Sequence, residues 1–120
     1  MGVDPFADDL KVLAHLRGYP DDLRRFSNMM KQAHPRGTSA LRLVLGRPTA
    51  SGSLVAAVCR AVADGVPIAT AVEAAERFGV SPAQFLAEIA SRPDFPRPLF
   101  AAGHRRLWRQ ADLDAYGARA

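Results

Sequence analysis

Five arginines, Arg92, Arg97, Arg105, Arg106 and Arg109, face a single acid, Asp94, between positions 92 and 109. Their local balance of +4 equals the formal net charge of the whole 120-residue chain. Guanidinium groups at this density suit phosphate oxygens, which they meet bidentately and whose condensed counterions they release. Upstream stand Ser81, Gln84 and Glu88. A carboxamide pairs with an adenine edge, a carboxylate accepts from cytosine N4, and a hydroxyl bonds to several bases. His104 lies beside Arg105 and Arg106 and extends the cationic run. Arg24, Arg25 and Lys31 form a second basic group; residues 17–47 hold seven basic side chains against Asp21 and Asp22. These types in these groupings suit recognition of duplex DNA.

Catalysis has no comparable support. His15, His34 and His104 are scattered, and no Cys/His or H-E-x-x-H spacing prepares a metal site. A glycine-rich phosphate cradle after a strand is missing, and no nucleophile has an evident base. Neither a cofactor nor a metal is expected, nor an enzyme. The lone Cys59, set among Val55, Val58 and Val62, reads as a buried reduced thiol in a reducing compartment. Met1–Leu10 carries three aspartates and no apolar run, so no secretory leader is expected. Pro48–Cys59, the longest uncharged run, is too short to span a bilayer. A cytoplasmic, nucleoid-associated protein is the expectation.

The elements that must position these residues can be read from periodicity and caps. Phe6, Leu10, Leu13 and Leu16 predict a helix over about 5–17, with Asp4 as cap and Gly18 as stop. After Tyr19-Pro20, Leu23, Phe26, Met30 and Ala33 line one face of a second helix, and Arg24, Arg25, Asn28 and Lys31 line the other. Thr38–Leu45 suits either a helix face or a strand; a short helix is preferred. Gly46–Ser53 reads as a linker, and Leu54, Val55, Val58 and Val62 mark a helix ending at Gly65.

Thr70-Ala71-Val72-Glu73 is a capping box opening a helix that stops at Gly79, and Ser81-Pro82-Ala83-Gln84 repeats the device. Two short helices joined by Gly79-Val80-Ser81 form a helix-turn-helix, with Val80 plugging the angle. Three prolines predict an extended Arg92–Pro98. Strands follow at Leu99–Ala101 and Arg105–Arg109 around a turn at Gly103, then a helix over Gln110–Tyr116. Trp108 and Phe95 are expected in the core.

Residues 68–118 resemble the AlpA/excisionase branch of the MerR-like winged helix-turn-helix superfamily. The likeness rests on Glu73-Ala74-Ala75-Glu76-Arg77-Phe78-Gly79-Val80-Ser81, on Phe95-Pro96-Arg97-Pro98, and on Arg106-Leu107-Trp108-Arg109 followed by Asp112, Leu113 and Ala115. It implies a sequence-preferring duplex DNA-binding protein, acting as transcriptional regulator or excisionase-like architectural factor. It also implies that the helix from Pro82 enters the major groove while the hairpin reaches the flanking backbone or minor groove. The 82–90 helix departs from the pattern in carrying no Arg or Lys.

The expected fold is mainly α: a helical extension over 1–50 and a winged helix-turn-helix with a small β-hairpin over 51–120. Ser81, Gln84 and Glu88 would read bases, the alternatives being a capping-box role alone for Gln84 and a solvated helix position for Glu88, with Arg92, Arg97, His104, Arg105 and Arg106 on the backbone. Arg24, Arg25 and Lys31 would touch a second stretch of DNA or form a solvated face. A homodimer or cooperative assembly on DNA fits small proteins of this kind. The alternative is a protein-interaction module, with dimerisation or partner binding through Leu23, Phe26 and Met30 of the extension.

Overall fold

The computed structural model describes residues 5–47 and 53–119. The proposed cap Asp4 and most of the 46–53 linker lie outside the described residues. The chain is mainly helical with a small antiparallel sheet, and it divides into two compact units, Met1–Val66 and Pro67–Ala120.

The first unit contains α1 (Pro5–His15), α2 (Pro20–Ala33), α3 (Ala40–Leu45) and α4 (Leu54–Asp64). Helix α4, expected with the domain beginning at 51, packs instead on α1 and α3. Pro20 occupies the first position of α2, where its missing N–H costs nothing. A 3₁₀ turn over His34–Arg36 follows, and Gly37 at φ 75° lets the chain reverse. Ser39 caps α3 and Ser53 caps α4. Phe26 is fully buried, as are Val12, Leu16 and Val58, so it is not available to a partner as the dimerisation reading required.

At six residues α3 is too short to hold itself together. Its stability comes from Asp9 of α1, whose carboxylate is fully buried. That group accepts hydrogen bonds from Ala40 N–H at 2.8 Å and Leu41 N–H at 3.0 Å, and pairs with His34 Nε2 at 2.7 Å. The orphan donors at the start of α3 thus receive a negative charge, which the helix dipole favours.

The second unit begins with β1 (Ile68–Thr70), which runs into α5 (Ala71–Phe78). Helix α6 starts as an α-turn at Pro82–Gln84 and widens into a π-turn over Phe85–Ile89. Next come β2 (Phe100–Ala102), β3 (Arg105–Arg109) and α7 (Gln110–Arg119). The sheet order is β1-β3-β2, with Ala69 opposite Trp108 and Ala101 opposite Arg106. Strand β1 was not anticipated, because three residues carry no periodic pattern. It forms because β3 offers an open edge.

Other details differ from expectation. The last helix runs on to Arg119, and β2 lies one residue further along, although Leu99 N–H still bonds Leu107 C=O at 2.7 Å. Residues 92–95 are not extended: Phe95 N–H bonds Arg92 C=O at 3.1 Å and closes a turn. Pro93 sits second in it, where its fixed φ is an advantage, so only 96–98 run straight. Among the described residues no helix is long and apolar enough to cross a membrane.

Two outcomes follow from the first unit. Asp9→Ala strands two buried N–H groups and should lower stability in urea denaturation by about 3 kcal/mol, with an unchanged m-value. Burial in α4, aided by the Asp9 charge, pushes the Cys59 thiol up from 9.0 to about 12. Between those pH values the unfolded chain loses a proton that the folded chain keeps. Stability therefore falls as pH rises through that window, by at most about 1.4 kcal/mol per pH unit. Cys59→Ala should remove this component of the alkaline slope.

Candidate nucleic-acid interface

The helix-turn-helix is built by local hydrogen bonds written in the residue order. Thr70 Oγ1 accepts from Glu73 N–H at 3.3 Å while Glu73 Oε1 accepts from Thr70 N–H at 3.0 Å. Gly79 ends α5 at φ 70°, a left-handed conformation that side chains resist. Ser81 Oγ then accepts from Gln84 N–H at 3.1 Å. The reciprocal bond from the Gln84 carboxamide to Ser81 is not made, and that side chain is exposed with no partner among the described residues. Val80 packs against the core cluster in the angle between the helices.

An aromatic cluster fixes how α6 and the hairpin stand. Phe85 meets Trp108 edge to face with centroids 5.4 Å apart and Phe95 at 5.7 Å. Phe95 in turn meets Trp108 at 5.7 Å and Tyr116 at 4.8 Å. Trp108 and Phe95 are buried core residues, and the indole N–H is satisfied by Pro96 C=O at 3.0 Å. In the π-turn, Ala90 N–H reaches back to Phe85 C=O at 2.9 Å. The extra residue per turn widens the helix beneath its exposed face, a distortion common at functional sites.

The structure exposes Ser81, Gln84 and Glu88 together on the solvent side of α6. Ala83 and Ala87 lie among them and leave the backbone approachable. Arg92 follows just beyond the end of α6, and its guanidinium is engaged: Nε donates to Glu88 C=O at 3.1 Å and NH1 to Tyr116 Oη at 3.1 Å. The bond to Tyr116 and the nearby Asp94 and Glu88 charges raise its pKa further above its ordinary value. The group is held in one place, charged and solvent-facing. The part of Tyr116 in holding Arg92 spans a separation of 24 residues and leaves no local pattern in the sequence.

On the hairpin, Gly103 at φ 61° and His104 form a two-residue turn joining Ala102 to Arg105. A positive φ at the first loop position alone matches the twist of the strands. His104 is exposed at the tip, while Arg105 and Arg106 are half-buried at the start of β3. Arg106 Nε donates to Gly103 C=O at 2.9 Å and braces the turn. Arg97 is exposed with no partner among the described residues, and so is Arg109 at the far end of β3. Arg77 of α5 pairs with Asp114 of α7.

Two groups of candidate residues thus occur on one aromatic-pinned scaffold: a polar helix face and a cationic hairpin. Phe85→Ala should cost about 3–5 kcal/mol, and it should raise amide exchange in α6 and β3 together because one contact holds both. Comparison of the chain with family models, curated proteins and solved structures finds no match in any of the three.

Proposed function

We propose that the second unit binds duplex DNA, with α6 in the major groove and the β2–β3 hairpin against the flanking backbone. The observation that carries this reading is the shared anchor, Phe85 against Trp108, which holds an exposed polar helix and a cationic hairpin in fixed relation. Such an arrangement separates the two tasks of recognition. Gln84, and Ser81 and Glu88 beside it, supply base-edge chemistry, whereas Arg92, Arg97, His104, Arg105 and Arg106 supply phosphate attraction. The resemblance to the AlpA/excisionase branch supports the same assignment and extends it to transcription regulation or excisionase-like architecture, without enzymatic activity.

Because α6 carries no cation between Pro82 and Ile89, affinity rests on the arginines around it. The same lack favours the second reading, a winged-helix scaffold that binds a protein. Fluorescence anisotropy with preferred and random duplexes across a salt series separates the two. Arg105→Ala with Arg106→Ala should weaken binding to all sequences and make the salt slope shallower by about two units. Gln84→Ala should cost about 1–3 kcal/mol on a preferred duplex and little on a random one. Absence of binding to any duplex at low salt would sink the DNA reading in favour of the protein partner.

A further inference from the structure

The first unit has a charge distribution that its fold does not use. Of its described acids, Asp8 pairs with Lys11, Asp21 with Arg24 at 2.6 Å, and Asp9 is buried against His34. Asp22 is also buried, which leaves Asp64 as the one exposed acid outside an ion pair among the described residues of this unit. Six exposed cations, by contrast, have no carboxylate partner there: Arg25, Lys31, Arg36, Arg42, Arg47 and Arg60. The imbalance is densest on α2. Its outward arc carries Asp21, Arg24, Arg25, Asn28, Lys31 and Gln32, all exposed, at the i, i+3, i+4 and i+7 spacings that share a helix face, and the one acid is taken up by Arg24.

From this face we infer a second duplex-DNA contact, made by α2 of the first unit independently of the second. A 14-residue helix extends about 21 Å, long enough to lie along a major groove, whose width of about 12 Å admits it. Asn28 and Gln32 stand one turn apart at the middle of the arc, and both carry the carboxamide that pairs bidentately with adenine. Arg25 and Lys31 flank them as phosphate ligands, and Arg24, neutralised by Asp21, adds less. The carboxamides favour DNA over an acidic protein surface, which would need only the cations. Two contacts on one chain would bind duplex with an avidity that neither has alone. This inference shares with the preceding proposal only the class of ligand, since the residues differ.

The test uses the full chain and anisotropy with a duplex selected from a randomised pool, in a salt series from 50 to 200 mM. Arg25→Ala with Lys31→Ala should make the slope shallower by about 1.8, removing a roughly tenfold share of the affinity lost over that range. The charge-matched Arg47→Ala with Arg60→Ala should leave the slope unchanged. Asn28→Ala with Gln32→Ala should weaken the selected duplex at least fivefold while sparing the salt slope and random duplex. Circular dichroism and melting of each variant check that the fold persists. Loss from the α2 variants but not from Arg105→Ala with Arg106→Ala would sustain this inference and remove the hairpin reading. Loss from the hairpin variant alone would overturn the α2 contact. An equal slope change in the charge-matched variant, or displacement by poly-L-glutamate at the same charge concentration as duplex, would overturn it too. Absence of any duplex binding would overturn both.

Discussion

Phe85 and Trp108 meet nearly at right angles, with ring planes at 84° and centroids 5.4 Å apart, and the second unit is organised around that contact. An edge-to-face pair contributes about 0.5–1.5 kcal/mol beyond the area it buries, but its geometric effect matters more. Phe85 belongs to the helix that exposes Gln84 and Glu88, and Trp108 to the strand that begins at Arg105. Phe95 closes the triangle from the turn made by Pro93, and Tyr116 brings in α7. Four elements separated in the chain therefore meet through rings that tolerate only a few mutual orientations. A surface assembled on such a base can hold polar groups in place without spending their hydrogen bonds on one another.

The first unit uses a different device. Its constraint is the buried Asp9 carboxylate, which serves as the N-terminal counter-charge of α3 and the partner of His34. A buried charge of this kind is tolerated because its hydrogen bonds are satisfied by the donors that α3 would otherwise leave orphaned. Consuming acids internally has an outward consequence. With Asp9 and Asp22 inside, the exposed surface of this unit is more cationic than its composition suggests, and the pairs of Asp8 with Lys11 and Asp21 with Arg24 decide which cations stay uncompensated. Net charge alone, at +4, would be weak support for an anionic partner; the disposition of the pairs is what makes α2 a candidate.

On the proposed reading the two units would divide the work unevenly. The helix of the helix-turn-helix has base-reading groups and no cation, while α2 has both carboxamides and unpaired cations on one face. The arginines around α6 are partly committed to the fold, as Arg106 of the hairpin braces Gly103 and Arg92 of the preceding turn is tied to Tyr116. Such ties fix where a guanidinium stands, which lowers the entropy lost when it meets a phosphate.

The sequence by itself determined where helices of the helix-turn-helix start and stop, because caps are interactions over three or four residues. Thr70 with Glu73, Gly79 at positive φ, and Ser81 before Pro82 all act within their own turn. The hairpin was legible for the same reason, in Gly103 and its flanking strands. What only the tertiary structure decided are the pairings over long separations. Asp9 reaches Ala40, Arg92 reaches Tyr116, and β1 joins β3, each set by packing that no local pattern encodes. The same limit applies to the charges. Residue order shows that Arg24, Arg25 and Lys31 can share a face, but burial and ion pairing decide which of them keeps a charge for a partner.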